Sequence, residues 1–285
     1  GRGLYRCFKT AMSDAVRDRR RRESDLREAF ERNEFSLAYQ PIASLESRRI
    51  TGCEALLRWN HPVHGEVPPT DFIPIVEEIG LISALGDWVI RKACAEAATW
   101  PADLTIAVNL SAVQLQDPLF APRLDSIVAE TGLDPRRLEL EITESIILGE
   151  SRVTRENLAH IHLLGARIAL DDFGTGYSSL HTLRLFAVDR IKVDKSFVHE
   201  MAYAPRSRII VRNVLAMAQE LGIATTAEGI ETAEQFEVLA ASGCREGQGY
   251  FFARPMPADS VRVLVRNKVD GTAGSERAPL RAVSG

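Results

Sequence analysis

The sequence predicts an α/β fold in which short strands alternate with helices around a mostly parallel sheet. Eight short apolar runs of β type recur along the chain, and segments with helical length and amphipathic pattern separate most of them. The predicted strands are Ser36–Tyr39, Ile50–Leu57, Leu104–Leu110, Leu138–Ile142, Arg167–Leu170, Arg190–Val193, Ala224–Ala227 and Gly249–Phe252. Eight strands favour a closed (β/α)8 barrel, and a doubly wound open sheet is the alternative architecture.

Six segments between these strands have the length and apolar spacing of helices. They are Asp71–Glu78, Ile82–Thr99, Pro122–Thr131, Arg152–Leu164, Ser207–Leu221 and Thr232–Ser242. Four of these segments lead into a glycine, and glycine commonly takes the left-handed conformation that ends a helix. These glycines are Gly132, Gly165, Gly222 and Gly243. We therefore expect these four helices to stop at or just before their glycines.

The two ends of the chain differ in composition from the part between them. Residues 1–23 contain a highly charged stretch that includes Arg19–Arg22, which is typical of a linker or a solvated helix face. A helical pattern starts after Ser24, and we place the folded domain at residues 24–268. Residues 269–285 lack periodicity and are rich in small and polar types, so we expect a disordered tail. Because the chain begins at Gly1 without a methionine, we also expect it to be a fragment of a longer protein.

Composition and charge exclude several classes of protein. Apolar residues make up 45% and charged residues 26% of the 285 residues, as in an ordinary globular protein. The net charge of −4 provides no global positive field, so we expect no DNA or RNA polymer as a partner. The four cysteines lie far apart and form no CxxC pair, which fits neither a disulfide scaffold nor a zinc cluster. No apolar run approaches the ~20 residues needed to cross a bilayer.

Polar and charged side chains collect near the carboxyl ends of the predicted strands. In a barrel these ends lie on one face, where barrel enzymes build their active sites. The side chains in question are Glu54, Asn109, Glu141, Glu144, Asp171, Asp172, Lys192, Glu228 and Glu231. Taken singly, each acid is more often a helix cap or a solvated loop residue. Taken together, the acids would repel one another strongly in a partly dry site, and a bound cation would relieve that repulsion.

The ligand types among these side chains indicate which cation they would bind. Oxygen ligands without histidine or cysteine select Mg²⁺ or Mn²⁺ over zinc or copper. In the adjacent pair Asp171 and Asp172, one carboxylate can bridge two ions while its neighbour binds only the second. Two such ions activate a water in phosphoryl chemistry, so the sequence predicts phosphodiester hydrolysis. Lys192 could orient or deprotonate that water, or it could instead pair with Asp194 or Asp171.

Seven blocks of sequence, in order along the chain, carry a family resemblance. The first is Cys53–Trp59, which contains Glu54-Ala55-Leu56. The others are Asn109–Ser111, Glu141–Glu144, Asp171–Leu180, Lys192–Phe197, Ala227–Glu231 and Gly247–Tyr250. In these blocks the sequence resembles the EAL-type phosphodiesterases, which hydrolyse the bacterial second messenger cyclic di-GMP. The resemblance extends over roughly Leu26 to Val265.

The resemblance implies a role for each matching side chain. The implied ligands of one metal ion are Glu54, Asn109, Glu141 and Asp171, and those of the second are Asp171, Asp172 and Glu228. Lys192 would position or activate the bridging water, and Glu231 would support the metal site from behind its ligands. The residues expected to be essential for catalysis are thus Glu54, Lys192, Glu228 and Glu231. Glu144 would tether the loop after Asp172, and substrate contacts are implied for Gln40, Arg58 and Gln248.

The resemblance also implies a fold, cofactors and partners. The family fold is a modified (β/α)8 barrel with one antiparallel strand, and its members are usually dimers. The expected cofactors are two Mg²⁺ or Mn²⁺ ions, with Ca²⁺ inhibitory. Gly1–Phe8 resembles the last strand of a GGDEF domain, so we expect a GGDEF-like domain upstream in the parent protein. We expect a cytoplasmic domain, in a parent protein that could be anchored in a membrane through its N-terminal region.

These features predict a metal-dependent enzyme that opens one phosphodiester bond of cyclic di-GMP to give linear pGpG. The alternative is a receptor that binds cyclic di-GMP without cutting it. Relatives of that kind usually lack one or more of the metal-binding acids, and none is missing from this sequence. The complete set of ligands therefore favours the enzyme.

Overall fold

The computed structural model describes residues 23–144, 146, 151–174, 187–201 and 203–270. Residues 1–22 of the predicted linker, the predicted tail beyond Asp270 and the loop residues 175–186 lie outside this part of the chain. The chain forms two compact units. Of the described residues, the first unit comprises those up to Ser36 together with Leu57–Leu85, and the second comprises Leu37–Leu56 and those from Gly86 onward.

Strands and helices alternate through most of the chain, as the apolar pattern predicts. The strands are β1 (Phe35–Ser44), β2 (Ile50–His61), β3 (Gly65–Val67), β4 (Thr105–Asn109), β5 (Leu138–Thr143), β6 (Arg167–Phe173), β7 (Arg190–Val193), β8 (Ala224–Ala227) and β9 (Glu246–Gln248). The helices are α1 (residues 23–31), α2 (Pro69–Glu78), α3 (Ile82–Ala97), α4 (Ala112–Leu115), α5 (Phe120–Thr131), α6 (Arg152–Leu164), α7 (Lys195–Glu200), α8 (Pro205–Glu220), α9 (Ala233–Ala241) and α10 (Ala258–Asp270). None of the helices within the described ranges is both long and apolar enough to span a membrane.

The second unit holds a closed mixed barrel of eight strands. The barrel order is β1-β9-β8-β7-β6-β5-β4-β2, and an additional pairing of β1 with β2 closes the sheet. Neighbouring strands from β2 through β4 to β9 pair in parallel, whereas β1 runs antiparallel to β9. This arrangement confirms the predicted barrel with one antiparallel strand. It excludes the open sheet, because an open sheet would leave its two outer strands unpaired at their edges.

The helix α5 illustrates how an amphipathic helix of the second unit buries one apolar stripe. In α5 the buried residues are Phe120, Leu124, Ile127 and Val128, which recur with the spacing of one helix face. Full burial of side chains of this size contributes about 1.5–3 kcal/mol each. The four glycines predicted to end helices all have positive φ, namely Gly132 (68°), Gly165 (95°), Gly222 (73°) and Gly243 (83°). The predicted helix ends are therefore confirmed, and α6 matches its prediction at both ends.

The first unit is built around a cluster of aromatic rings. The ring centroids of Phe72 lie 5.9 Å from Phe35 and 5.5 Å from Trp59, and all three side chains are buried. Trp59 Nε1 donates a hydrogen bond to Glu34 at 3.0 Å, which satisfies the polar atom of the indole. Trp59 also pairs with Val67 of β3 in an antiparallel hairpin. The sequence does not predict β3, because three residues are too few for an alternating pattern.

The last strand of the barrel lies three residues before its predicted position. The sequence predicts Gly249–Phe252, whereas β9 comprises Glu246–Gln248. The carbonyl of Gly249 accepts a hydrogen bond from the N–H of Phe252 at 3.0 Å, so the chain turns directly after β9. The aromatic run that suggested a strand instead packs against α9, where the Phe252 ring lies 6.0 Å from that of Phe236. The prediction was wrong because aromatic residues favour strands and buried turns alike.

Gly249→Ala is expected to destabilise the protein far more than Gly132→Ala. A Cβ atom at Gly249 would lie 2.1 Å from the carbonyl oxygen of Ile230, so the backbone would have to move. A Cβ atom at Gly132 would meet nothing within 4 Å, which leaves only the left-handed backbone penalty of about 1–2 kcal/mol. Thermal unfolding of both variants tests this difference. Equal losses in melting temperature would contradict the close approach of the two backbone segments.

Candidate active site at the carboxyl ends of the strands

A buried lysine lies at the centre of the acidic residues that the sequence singles out. Lys192 on β7 is 1% exposed. Its Nζ atom lies 2.7 Å from a carboxylate oxygen of Glu141 and 2.7 Å from one of Glu228. The corresponding distances to Asp171 and Glu54 are 3.2 Å and 3.7 Å. One ammonium group therefore joins acids that belong to, or directly follow, four different strands.

The alternation of side chains along each strand brings these residues together. Residues from alternate strands of a barrel form layers in its interior. In the barrel order, β2, β5, β7 and β9 are alternate strands, and they contribute Glu54, Glu141, Lys192 and Gln248. The strands between them contribute Asn109 at the end of β4, Asp171 within β6 and Glu228 directly after β8. The closed barrel thus converts residues far apart in sequence into one cluster.

Amide side chains complete the surroundings of Glu54. Asn109 Nδ2 donates to Glu54 Oε1 at 2.7 Å, and Gln248 Nε2 donates to Glu54 Oε2 at 2.7 Å. Gln248 Nε2 also lies 2.9 Å from Gln40 Oε1. Both carboxylate oxygens of Glu54 are therefore hydrogen-bonded. Gln40 and Gln248, which the sequence assigns to substrate binding, lie side by side next to Glu54.

Asp171 and Asp172 lie at a bulge in β6. The register between β6 and β7 shifts between Leu170 and Phe173, and Asp172 has a φ of 54°. In a regular strand, two successive side chains would point to opposite faces of the sheet. Here Asp171, Asp172 and Glu228 each place one carboxylate oxygen within 4.8 Å of the others. The bulge therefore lets two adjacent residues contribute to one cluster. The sequence pattern predicts the acidic pair but not the bulge.

Burial and mutual repulsion shift the pKa values of these acids. Burial is the main cause that raises the pKa of Glu141 well above its usual range, and the charge of Glu54 adds to the effect. Burial likewise raises the pKa of Glu228 to about 7, against the opposing charge of Lys192. Burial alone would also raise the pKa of Glu54, but the Lys192 ammonium and two amide hydrogen bonds hold it below its usual value. Without a further cation, the cluster resists full ionisation.

The contacts of Lys192 make its ammonium group a donor in this arrangement. Burial alone would lower its pKa, but the surrounding carboxylates, Glu141 first among them, raise it well above the usual lysine value. An ammonium group has three N–H donors and no lone pair. In the absence of other cations, Lys192 therefore neutralises and orients carboxylates and does not accept a proton.

The charge balance and the donor set fit two divalent cations. Four carboxylates contact the ammonium of Lys192, namely Glu54, Glu141, Asp171 and Glu228, and Asp172 lies beside two of them as the fifth acid of the cluster. Full ionisation of this group would leave four negative charges, which two divalent cations would neutralise. Glu141 Oε1 is buried and has no hydrogen-bond partner among the residues that the structure describes. A buried carboxylate oxygen without a donor, in a set of oxygen ligands, is suited to coordinate Mg²⁺ or Mn²⁺.

Two further predicted residues contact groups outside this cluster. Glu144 Oε1 accepts a hydrogen bond of 2.9 Å from the N–H of Gly174, at the start of the loop that it was expected to tether. The rest of that loop lies outside the described residues. The carboxylate of Glu231 is half exposed and lies 3.6 Å from His199 Nε2 on α7. Its observed neighbour is thus a histidine that the sequence analysis did not single out.

Arg58 is the remaining residue with a predicted substrate contact, and Arg190 is a buried charge that the sequence pattern did not single out. Arg58 belongs to the first unit, where its Nε atom lies 3.1 Å from Glu66. Its proposed substrate contact stays a prediction. Arg190 is not among the residues that the sequence predicts for the site, yet it is buried in the barrel and forms an ion pair of 2.9 Å with Glu139. The sequence pattern could have indicated Arg190, because it lies two positions before Lys192 on the same predicted strand and therefore faces the same side of the sheet.

Comparison with known proteins establishes the family. The family model for the EAL domain matches residues 23–255, and the chain therefore belongs to the EAL domain family. A solved structure of the PaMucR phosphodiesterase in complex with c-di-GMP has a TM-score of 0.81 and 38% sequence identity. The match covers 85% of this chain and 99% of that chain.

Similar proteins of known sequence are much longer than this chain. An uncharacterized signaling protein of Caulobacter vibrioides is 49% identical over 261 residues, which cover 92% of this chain and 32% of the relative. The bifunctional diguanylate cyclase/cyclic di-GMP phosphodiesterase MucR of Pseudomonas aeruginosa is 37% identical over 269 residues, covering 93% of this chain and 39% of the relative. The chain thus spans between 32% and 39% of the length of these relatives.

Proposed function

We propose that this domain is a metal-dependent phosphodiesterase that hydrolyses cyclic di-GMP to linear pGpG. The observation that carries the proposal is the Lys192 ammonium in contact with four carboxylates at the carboxyl ends of barrel strands. Membership of the EAL family supports the reaction class. The c-di-GMP complex of a structure that is 38% identical supports the substrate.

The reaction adds one water across one phosphodiester bond of the cyclic substrate. The water oxygen bonds to phosphorus, the bond from phosphorus to the 3′ oxygen breaks, and a proton from the water ends on that oxygen. Two Mg²⁺ or Mn²⁺ ions, held by the five carboxylates and Asn109, would activate the water and offset the charge that develops. Lys192 holds Glu141 and Glu228 at 2.7 Å and can orient the water through a hydrogen bond.

Neighbouring groups of the chain would hold the substrate and shape the site. Gln40 and Gln248 form a polar pair next to Glu54, and Gln40 Nε2 also lies 3.3 Å from the carbonyl oxygen of Ala253. Their amides can bind the polar edges of a nucleotide. We propose that Arg58 binds a phosphate of the substrate, since a guanidinium matches phosphate geometry with two parallel donors.

The proposed parent protein extends beyond the domain. We propose residues 24–268 as the limits of the catalytic domain and a GGDEF-like domain upstream of it. The support is the similarity of this chain to part of MucR, whose name includes diguanylate cyclase. A homodimer and a cytoplasmic location are proposed from the family resemblance.

Product formation from cyclic di-GMP is expected to depend strictly on Mg²⁺ or Mn²⁺. Chromatography of the reaction should show pGpG with either ion, no product in EDTA, and inhibition by added Ca²⁺. The physical reason is the need of the carboxylate cluster for divalent cations. Full activity in EDTA would contradict the proposed mechanism. Binding of cyclic di-GMP in Mn²⁺ with no product would instead favour a receptor, or an enzyme that is inactive without its upstream domain.

A further inference from the structure

A second polar layer lies beneath the candidate active site and repeats its pattern. Four site residues have a polar residue two positions earlier in the chain. These pairs are Arg190 before Lys192, Glu139 before Glu141, Thr226 before Glu228, and Glu246 before Gln248. Residues two apart on a strand point to the same face and lie about 6.6 Å apart. The lower layer therefore lies on the same four strands as the site residues above it.

One guanidinium group joins these four strands. Arg190 Nε donates to Glu139 Oε2 at 2.9 Å, and Nη1 donates to Thr226 Oγ1 at 2.8 Å. Nη1 also forms an ion pair with Glu246. The Arg190 side chain is only 9% exposed, and that of Glu139 is 5% exposed. Arg190 on β7 thus cross-links β5, β8 and β9 inside the barrel.

On this side of the barrel, the strands β7, β8 and β9 pair with one another over few residues. β8 and β9 share only two residue pairs, Thr226 with Glu246 and Ala227 with Gly247. β7 has four residues, and its register with β6 shifts close to the site. Short ladders allow strands to shift relative to one another, so side-chain contacts across them contribute more to their spacing.

We propose that Arg190 is a positioning residue for the candidate active site. Its guanidinium sets the spacing of β7 relative to β5 and β8, and thereby the distances from Lys192 to Glu141 and Glu228. The catalytic part of this proposal rests on the proposed function, whereas its metal-binding part can be measured without turnover. A lysine cannot replace Arg190 in this role. The planar guanidinium directs several N–H donors at its three acceptors in a fixed geometry, whereas the lysine ammonium is a compact point charge.

The test separates positioning from a merely structural role with a variant that removes every charge of this layer. Arg190→Met alone would leave two carboxylates without their partner, which destabilises a buried network. The triple variant Arg190→Met, Glu139→Gln and Glu246→Gln removes all three charges together. Arg190→Lys keeps the positive charge and loses the planar guanidinium group. The control is Arg136→Met, which removes an exposed arginine paired with Asp134 at the surface.

Three measurements are made on each variant: the melting temperature without metal, the Mn²⁺ dissociation constant by electron paramagnetic resonance, and kcat with KM for cyclic di-GMP. For the triple variant and Arg190→Lys we expect Mn²⁺ affinity and kcat to fall about 10–100-fold, as for other residues behind metal ligands. We expect KM to stay within about threefold and the control to match the native protein.

Native Mn²⁺ affinity and kcat in the folded triple variant would overturn the proposal. If the triple variant does not fold, the same criterion applies to Arg190→Lys. If the native protein binds Mn²⁺ but shows no turnover, the proposed function fails while the Mn²⁺ affinities still decide the role of Arg190. If the native protein binds no Mn²⁺, the positioning of metal ligands by Arg190 is overturned as well.

Discussion

Lys192→Met is expected to lower the turnover of cyclic di-GMP by about 10³-fold or more. The substitution keeps the length of the side chain and removes the ammonium that contacts four carboxylates. It removes both the proposed donor for the attacking water and the group that holds Glu141 and Glu228 in place, and a single positioned proton donor or acceptor already contributes about 10²–10⁴-fold. Steady-state kinetics with Mn²⁺ measures the effect.

The matched control for this substitution is Lys195→Met, three residues further along the chain. Lys195 is exposed at the start of α7, so its removal leaves the carboxylate cluster intact. We expect near-native turnover in the control. Native turnover in Lys192→Met would remove the lysine from the mechanism, whereas equal losses in both variants would point to an effect outside the cluster.

Lys192→Met is also expected to change the pH dependence of stability in the metal-free protein. Removal of one partner from a buried ion pair costs about 3–5 kcal/mol when the other charge stays buried. Burial already raises the pKa of Glu228 to about 7, and loss of the ammonium would raise it further. The folded variant therefore binds more protons than the unfolded chain, and its stability rises as the pH falls from 8 toward 5. Melting temperatures at both pH values test the sign.

Glu54→Gln is expected to lower kcat about 10²–10³-fold or more and to weaken Mn²⁺ binding. The two side chains have nearly the same shape, but the amide has no negative charge to offer a divalent cation. Both oxygens of Glu54 accept hydrogen bonds, from Asn109 and from Gln248. In either orientation, the new amide nitrogen would therefore face a donor, which costs about 1–3 kcal/mol in a buried site.

The matched control for this variant is Glu46→Gln, an exposed acid between β1 and β2. We expect the control to keep native kcat and native Mn²⁺ affinity. Isothermal titration with Mn²⁺ and initial rates with cyclic di-GMP measure both quantities. Native Mn²⁺ affinity in Glu54→Gln would show that Glu54 is not a metal ligand, and unchanged rates would remove it from catalysis.

The local pattern of the sequence predicts most strands and several helix ends of this protein. α6 matches its prediction because Ser151 caps its start, where its hydroxyl accepts the Thr154 N–H, and Gly165 ends it with positive φ. Such signals act within a few residues and are readable from the chain itself. The position of β9 was not readable in this way. It depends on the turn at Gly249 and on the close approach of Gly249 to Ile230, far away in sequence.

The types of metal ligand in the candidate site can likewise be read from the sequence. Acidic residues near the ends of apolar runs predict a carboxylate cluster, because parallel strands present their carboxyl ends on one face of a barrel. The oxygen ligands that these residues offer favour hard cations over zinc or copper. The seven ordered blocks were enough to indicate the EAL family, which the family match establishes.

Only the tertiary structure decided which of these side chains touch. The partners of Lys192 are Glu141, Glu228, Asp171 and Glu54, and not Asp194, whose side chain caps α7. The bulge that unites Asp171 with Asp172 and the Arg190 layer beneath the site are also tertiary features. The physical reason is that strand register and barrel closure determine which inward-facing side chains of different strands meet inside the barrel. These pairings join residues up to 138 positions apart, as for Lys192 and Glu54, beyond the reach of any local pattern.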